Sequence, residues 1–207
     1  MTKAMTEAEL DQRHAEKMRK KKAAREKILA TKTIEKGLLI VHTGKGKGKS
    51  TAAFGMVFRA LGHGMPVAIV QFVKGKWQTG ERMALEKFGE LASIHTMGEG
   101  FTWDTQDRKR DIAAARAAWE KAKALIAGGK HKLVLLDELS IVLRYGYLPA
   151  EEIVGFLRER KPQDVHVIVT GRNAPETLIE AADLVTEMEM VKHPFRSGVK
   201  AQKGIEF

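Results

Sequence analysis

The chain has 207 residues, 43% of them hydrophobic, with a formal net charge of +10. This length suits one domain with an extension, and the basic balance suits anionic partners such as nucleotides, nucleic acid or membrane headgroups. The absence of cysteine excludes disulfides and thiolate metal sites. No apolar run approaches the roughly 18–20 residues of a membrane span and the first residues lack a signal's apolar core, so we expect a cytoplasmic protein.

Residues 1–36 form a basic arm. They contain eleven Lys or Arg and six Asp or Glu, a net charge of +5, and no Gly or Pro. This composition favours helix, but the apolar residues form only a thin, irregular stripe. The arm is therefore either a solvated or disordered extension, or a helix that orders over a ligand or a second subunit. We expect the core domain to span residues 37–207.

Apolar runs alternate with helix-forming segments from Gly37 onward. The predicted strands are 38–41, 67–72, 91–97, 133–136, 165–170 and 184–190, and the predicted helices are 48–61, 82–88, a long one ending at 127, 149–159 and a short one from 175. Trp119 lies on the apolar face of the long helix, so we predict it in the core. Near-continuous apolar strands joined by helices predict an α/β fold, a mainly parallel sheet covered on both faces.

A glycine-rich segment follows the first strand, GLLIVHTGKGKGKSTAAF over residues 37–54. Glycines let backbone N–H groups converge on an anion, and the following helix adds its dipole. Lys49 can then reach phosphate oxygens, and the Ser50 hydroxyl can bind Mg²⁺. Thr43 stands where G-x-x-x-x-G-K-[ST] has its first glycine. A flexible basic loop is the alternative, but the flanking strand and helix favour a phosphate-binding loop for ATP, made of Thr43, Gly44, Lys45, Gly46, Lys47, Gly48, Lys49, Ser50 and Thr51.

Ligands of parallel sheets bind beyond the carboxyl ends of the strands. That edge collects the glycine loop and residues 71–76, 98–103, 137–138 and 171–172. Asp137 and Glu138 are candidate Mg²⁺ ligands together with Ser50, or else exposed acids that begin a turn. Which of the two acids would touch the metal is open.

Other unusual side chains fall at the same edge. Arg172 is either a contact for the ATP base, ribose or phosphate, or a surface arginine. Phe101 and Trp103 either cover something flat and apolar or fold back on the core. The histidines show no metal-ligand spacing and no Ser-His-Asp pattern is suggested, so a nucleophile would have to come from a substrate.

Taken together, these segments resemble the ATP:corrinoid adenosyltransferases of the CobA type, the cob(I)yrinic acid a,c-diamide adenosyltransferases. The resemblance covers residues 37–207, and the Thr43 departure is the form this family shows. The glycine loop is shared with many NTPases, whereas the aromatic segment and the C-terminal tail are more particular. The matching segments are TGKGKGKSTAAFG, RALGHG, VQFVKG, GER, GFTWDTQ, VLLDEL, YLP, VIVTGR and VKHPF with GVKAQKGIEF.

The resemblance implies a P-loop NTPase-like (RecA-like) fold, a homodimer, and transfer of the 5′-deoxyadenosyl group of ATP to a Co(I) corrinoid with release of triphosphate. Lys49 and Glu138 would be the catalytic residues, with Mg²⁺ held by Ser50, Asp137 and Glu138. Phe101 and Trp103 would lie at the corrinoid's lower face, where we expect them to displace the lower axial ligand. A reduced flavoprotein would supply electrons, and the basic arm could cover the corrinoid pocket of the partner subunit.

Two other classes remain open from the residues alone. The charge and the basic arm would also suit a P-loop ATPase acting on nucleic acid, and a non-catalytic nucleotide-dependent binding module is the third class. The GFTWDTQ segment favours the adenosyltransferase, since a nucleic-acid motor has no reason to carry it.

Overall fold

The computed structural model describes residues 5–73, 79–97 and 107–206. The chain divides into two units, Met1–Glu35 and Lys36–Phe207. The first contains helix α1, Glu7–Ala30, which begins in a capping box: the Glu9 N–H donates to the Thr6 hydroxyl and the Thr6 N–H donates to the Glu9 carboxylate. No residue of α1 is buried. The described arm is thus helical, as its composition predicts, rather than disordered.

The second unit is built on one six-stranded sheet in the order β3-β2-β4-β5-β1-β6. Every strand pair in it is parallel. Strand β5 therefore separates β1 from β4. The strands are β1 Leu39–Thr43, β2 Val67–Gln71, β3 Ala92–Thr96, β4 Leu133–Asp137, β5 His166–Thr170 and β6 Leu184–Glu187.

Helices cover both faces of this sheet. The helices are α2 Lys49–Gly62, α3 Gly80–Leu85, α4 Arg108–Ala127, α5 Leu139–Arg144, α6 Ala150–Arg160 and α7 Glu176–Ala181, with 3₁₀ turns at Glu86–Leu91 and Pro194–Ser197. Helix α2 packs on one face, and α4 to α7 pack on the other. The fully buried Trp119 of α4 confirms its predicted place in the core. The predicted class, a parallel α/β fold covered on both faces, is confirmed.

One helix was missed by the sequence prediction, and one predicted strand was wrong in extent. Helix α5 was not predicted, because it begins directly after Glu138 with no turn residue to announce it. Strand β6 ends at Glu187 rather than at residue 190, since the backbone of Met188 turns toward the glycine loop and bonds there. Among the described residues, no helix is long and apolar enough to cross a membrane.

Candidate nucleotide-binding site

The glycine loop lies between β1 and α2, pressed against the chain that follows β6. The Gly46 N–H donates to the Met188 carbonyl at 2.6 Å, and the Met188 N–H donates to the Thr43 carbonyl at 2.9 Å. A Cβ atom on Gly44, whose φ is +95°, would lie 2.4 Å from the Met188 carbonyl oxygen. Only glycine fits there. These contacts with Met188 therefore favour a loop of defined shape over the flexible-loop alternative.

The loop leads directly into α2, and no side chain of the described residues caps the first N–H groups of this helix. Gly48, with φ of 104°, precedes the helix and offers no side chain. Uncapped N–H groups and the helix dipole make such a terminus a site for anions. The buried Lys49 ammonium donates to the Gly46 carbonyl. Burial lowers the pKa of Lys49, and the nearby Glu138 charge acts in the opposite direction.

Asp137 is the buried centre of the site. Its Oδ1 accepts from the Ser50 hydroxyl at 2.9 Å and from the Thr170 hydroxyl at 2.8 Å. Its Oδ2 lies 3.5 Å from the Gln71 amide nitrogen. Burial raises the pKa of Asp137, and the three donors oppose that shift because each favours the carboxylate. With 7% of its surface exposed, Asp137 does not begin an exposed turn, so that alternative is excluded.

Glu138 occupies a strained position between β4 and α5. Its φ of 61° and ψ of 21° lie in the left-handed region, which non-glycine residues rarely adopt. The Glu138 N–H donates to the Thr170 hydroxyl at 2.9 Å, which holds this conformation. Its Oε2 is buried without a hydrogen-bond partner among the described residues. Burial and the adjacent Asp137 raise the pKa of Glu138 to about 7, despite the charges of Lys49, Arg172 and Arg144.

Sequence reasoning missed the row of polar side chains to which Asp137 belongs. The residue near the carboxyl end of each strand, on the face covered by α2, is polar, and strand register sets these side chains next to one another. In spatial order they are Thr96, Gln71, Asp137, Thr170, His42 and Thr186. The signal was present in the sequence as a polar residue closing each apolar run, but the neighbours follow only from the strand order.

The remaining predicted site residues differ in their exposure and in their contacts. Lys45, Lys47 and Thr51 are exposed, and Lys47 pairs with Glu206 from the C-terminal tail. Arg172 is exposed after β5, close enough for its charge to lower the pKa of Lys49 and of Glu138. Arg172 is thus within electrostatic range of Lys49 and Glu138. The predicted aromatic pair, Phe101 and Trp103, lies outside the described residues.

A parallel α/β sheet with a glycine loop, a buried lysine and an Asp-Glu pair beyond its carboxyl edge defines a nucleotide-binding enzyme of the P-loop class. The chain belongs to a particular branch of that class, the ATP:corrinoid adenosyltransferase family BtuR/CobO/CobP, whose model matches residues 35–207. A second model, the N-terminal segment of cob(I)alamin adenosyltransferase, matches residues 4–29. The protein is therefore a transferase, and the family resemblance seen in the sequence is confirmed.

Relatives named corrinoid adenosyltransferase match nearly the whole chain. One from Sinorhizobium sp is 66% identical over 95% of this chain and 92% of its own length. Those from Pseudomonas aeruginosa and Escherichia coli K12 are 55% and 47% identical, covering 96% and 95% of this chain and 98% and 99% of their own lengths.

A solved structure shares the fold alone. The flagellar accessory protein FlaH from Methanocaldococcus jannaschii superimposes with a TM-score of 0.52 at 14% identity, covering 76% of this chain and 73% of its own. The likeness supports the α/β architecture and carries no statement about substrate.

Proposed function

We propose that the protein binds Mg-ATP on the glycine loop, transfers its 5′-deoxyadenosyl group to the Co(I) centre of a corrinoid and releases triphosphate. The observation that carries the proposal is the meeting of Lys49, Ser50 and the Asp137-Glu138 pair at an uncapped helix start, in a chain of the adenosyltransferase family. The role is cobalamin biosynthesis or salvage, and a cytoplasmic location stays a prediction.

The reaction needs no side-chain nucleophile. The Co(I) centre of the substrate supplies an electron pair to the ribose 5′ carbon, a cobalt–carbon bond forms, and the carbon–oxygen bond to the triphosphate breaks with its electrons on the leaving oxygen. The chain's task is to hold that growing negative charge. Loop N–H groups and the Lys49 ammonium can do so because they are fixed before the reaction begins. Arg172 lies close enough to Lys49 to add a further positive charge.

The residues present fit a magnesium ion. Glu138 Oε2 is a buried oxygen without a partner, and the Ser50 hydroxyl, since it donates its proton to Asp137, keeps its lone pairs free. No cluster of three or more His, Cys, Asp or Glu side chains occurs among the described residues, so phosphate oxygens and waters would complete the shell. Ser50 and Glu138 would hold the ion, with Asp137 positioning Ser50. When bound, Mg²⁺ would neutralise charge on the triphosphate.

We further propose that the aromatic pair of residues 101 and 103 contacts the corrinoid and that the enzyme acts as a homodimer. Exposed Leu184 and Val185 on the edge strand β6 support a covered sheet edge. A reduced flavoprotein is the proposed electron donor. Replacing both aromatic residues by alanine should abolish corrinoid turnover and spare ATP binding, whereas equal loss of both would indicate a folding role.

An anaerobic assay with Mg-ATP and chemically reduced cob(I)alamin tests the reaction. The visible spectrum should change to that of a light-sensitive adenosylcobalamin, and the phosphate product should be triphosphate. Lys49→Met and Ser50→Ala provide variants in which both signals should fall together, because Lys49 would contact the triphosphate and Ser50 would hold the magnesium ion that neutralises it. Arg59→Met, exposed on α2 away from the loop, is the matched control.

The same assay decides against the proposal if inorganic phosphate appears without a spectral change. That result would favour the ATPase alternative, in which Glu138, with a pKa of about 7, would act as base on a water molecule. Stimulation of phosphate release by nucleic acid would then identify the partner of the basic arm.

A further inference from the structure

A chain of hydrogen bonds leads from Asp137 across two more strands of the sheet. The Gln71 amide nitrogen lies 3.5 Å from Asp137 Oδ2, and the Gln71 amide oxygen accepts from the Thr96 hydroxyl at 2.9 Å. The Thr96 hydroxyl in turn accepts from the Arg82 guanidinium at 3.1 Å. Strand register supports the same neighbours, since Gln71 pairs with Thr96 on one side and with Asp137 on the other.

The direction of this chain is fixed at its outer end. A guanidinium can only donate, so the Thr96 hydroxyl accepts from Arg82 and must turn its own proton elsewhere. That proton meets the Gln71 amide oxygen. The Gln71 amide is therefore oriented with its NH₂ group toward Asp137, where it can only donate. The Asp137 carboxylate and the Thr96 hydroxyl thus favour the same orientation of the Gln71 amide, and Arg82 reinforces it through Thr96.

The opposite side of Asp137 follows the same logic. The Glu138 backbone N–H, also an obligate donor, donates to the Thr170 hydroxyl, and the Thr170 hydroxyl donates its own hydrogen bond to Asp137 Oδ1. Asp137 thus accepts hydrogen bonds from both flanks and from Ser50. These donors favour the ionised carboxylate and restrict its rotation. The carboxylate therefore fixes the Ser50 hydroxyl that faces the nucleotide site.

We propose that Gln71 is a positioning residue: oriented by Thr96 and Arg82, it holds the Asp137 carboxylate so that Ser50 presents its oxygen to the magnesium ion of Mg-ATP. This rests on the proposed binding of Mg-ATP at this site but not on adenosyl transfer. Gln71 contacts neither nucleotide nor metal in this role. Its effect reaches the metal through Asp137 and Ser50.

The test measures ATP binding by calorimetry over a range of free Mg²⁺ concentrations and again in EDTA. Gln71→Met keeps the length of the side chain but cannot donate. It should raise the Mg²⁺ concentration for half-maximal ATP binding about fivefold, because the effect passes through Asp137 and is smaller than the full contribution of a hydrogen bond to a buried charge. ATP binding in EDTA should be unchanged. Thr186→Val, at the far end of the same polar row, is the control and should behave as wild type.

A double-mutant cycle tests whether Thr96 acts on Asp137 through Gln71 or whether the two residues have independent structural roles. Thr96→Val removes the hydrogen bond that holds the Gln71 amide oxygen, so the amide is less firmly placed against Asp137. This substitution should shift the Mg²⁺ requirement in the same direction by about twofold. Added to Gln71→Met, Thr96→Val should not shift the Mg²⁺ requirement further, because the amide that Thr96 orients is already absent. If Gln71→Met does not fold, Thr96→Val alone still tests the proposal.

Three results would overturn the inference: an unchanged Mg²⁺ requirement, an equal loss of binding with Mg²⁺ and in EDTA, or additive effects of the two substitutions. Wild-type protein that fails to bind Mg-ATP would instead overturn the proposed function. The two failures are thus distinguishable in one experiment.

Discussion

At the scale of single residues, the carboxyl edge of the sheet holds groups in conformations and surroundings that cost free energy. A left-handed Glu138 costs ~1–2 kcal/mol, and it persists because Thr170 binds its N–H. The buried Lys49 and Asp137 add desolvation costs. Such costs are typical of sites that are arranged before their ligand arrives.

His42 provides a residue-scale prediction about pH. It is 5% exposed, and neither ring nitrogen has a partner among the described residues. Burial lowers the pKa of His42 from 6.5, so the folded protein takes up this proton at lower pH than the unfolded chain does. His42 therefore costs no stability above pH 6.5, and as pH falls below that value stability is lost by up to ~1.4 kcal/mol per pH unit. His42→Leu should be more stable relative to wild type at pH 5 than at pH 8.

Urea unfolding at the two pH values measures this difference. Other histidines also titrate, so the comparison is the change caused by the substitution at each pH, not the wild-type profile. His63→Leu, at an exposed site, removes one imidazole without touching the polar row and is the control. A His42→Leu effect that is the same at pH 5 and pH 8 would show that His42 does not titrate differently on folding.

At the scale of elements, Lys161 binds several backbone carbonyl groups near the amino ends of two strands. The Lys161 ammonium donates to the carbonyls of Gly37 at 2.8 Å, Val165 at 3.0 Å and Pro162 at 3.2 Å. Burial lowers the pKa of Lys161, and the charge of Asp183 opposes the shift. One side chain thus holds together the segments that lead into β1 and β5, two adjacent strands of the sheet.

Lys161→Met should therefore destabilise the protein by ~2–3 kcal/mol, because it leaves carbonyl groups without their charged donor. The free energy of unfolding in urea measures this. Lys132→Met is the matched control: Lys132 makes an ion pair with Asp164 on the surface, and exposed pairs of that kind contribute about 0–1 kcal/mol. Equal effects of the two substitutions would mean that the Lys161 bonds do not stabilise the sheet.

The features that could be predicted from the sequence are those set by residues close together in the chain. The strand, glycine loop and helix over residues 37–61 follow from local spacing, and so does the core position of Trp119. The surroundings of Asp137 could not be predicted, since Gln71, Thr96 and Thr170 come from three strands whose order is decided by tertiary packing. The contact of Met188 with the loop was hidden for the same reason.

At the scale of the whole molecule, the charge is divided between the basic arm, residues 1–36, and the rest of the chain. Residues 1–36 carry +5 of the net +10, and α1 buries none of its side chains. Its stability as a helix rests on propensity, the capping box and exposed pairs such as Glu16 with Lys20. A helix with exposed apolar residues such as Leu10 and Met18 is suited to binding a partner rather than to supporting a core.

Deletion of residues 1–30 tests this view of the arm. Because α1 buries nothing, the melting temperature and the affinity for Mg-ATP should stay within error of the full chain. If the arm covers the corrinoid pocket of a partner subunit, the affinity for cob(I)alamin should fall by about tenfold, which corresponds to ~1.4 kcal/mol of lost contacts.

A full chain with Leu10, Met18 and Ile28 replaced by alanine keeps the helix and its charge, so an equal loss in that variant would assign the effect to apolar contact. Unchanged corrinoid affinity in both variants would exclude the covering role, whereas loss in the deletion alone would assign the effect to the basic charge.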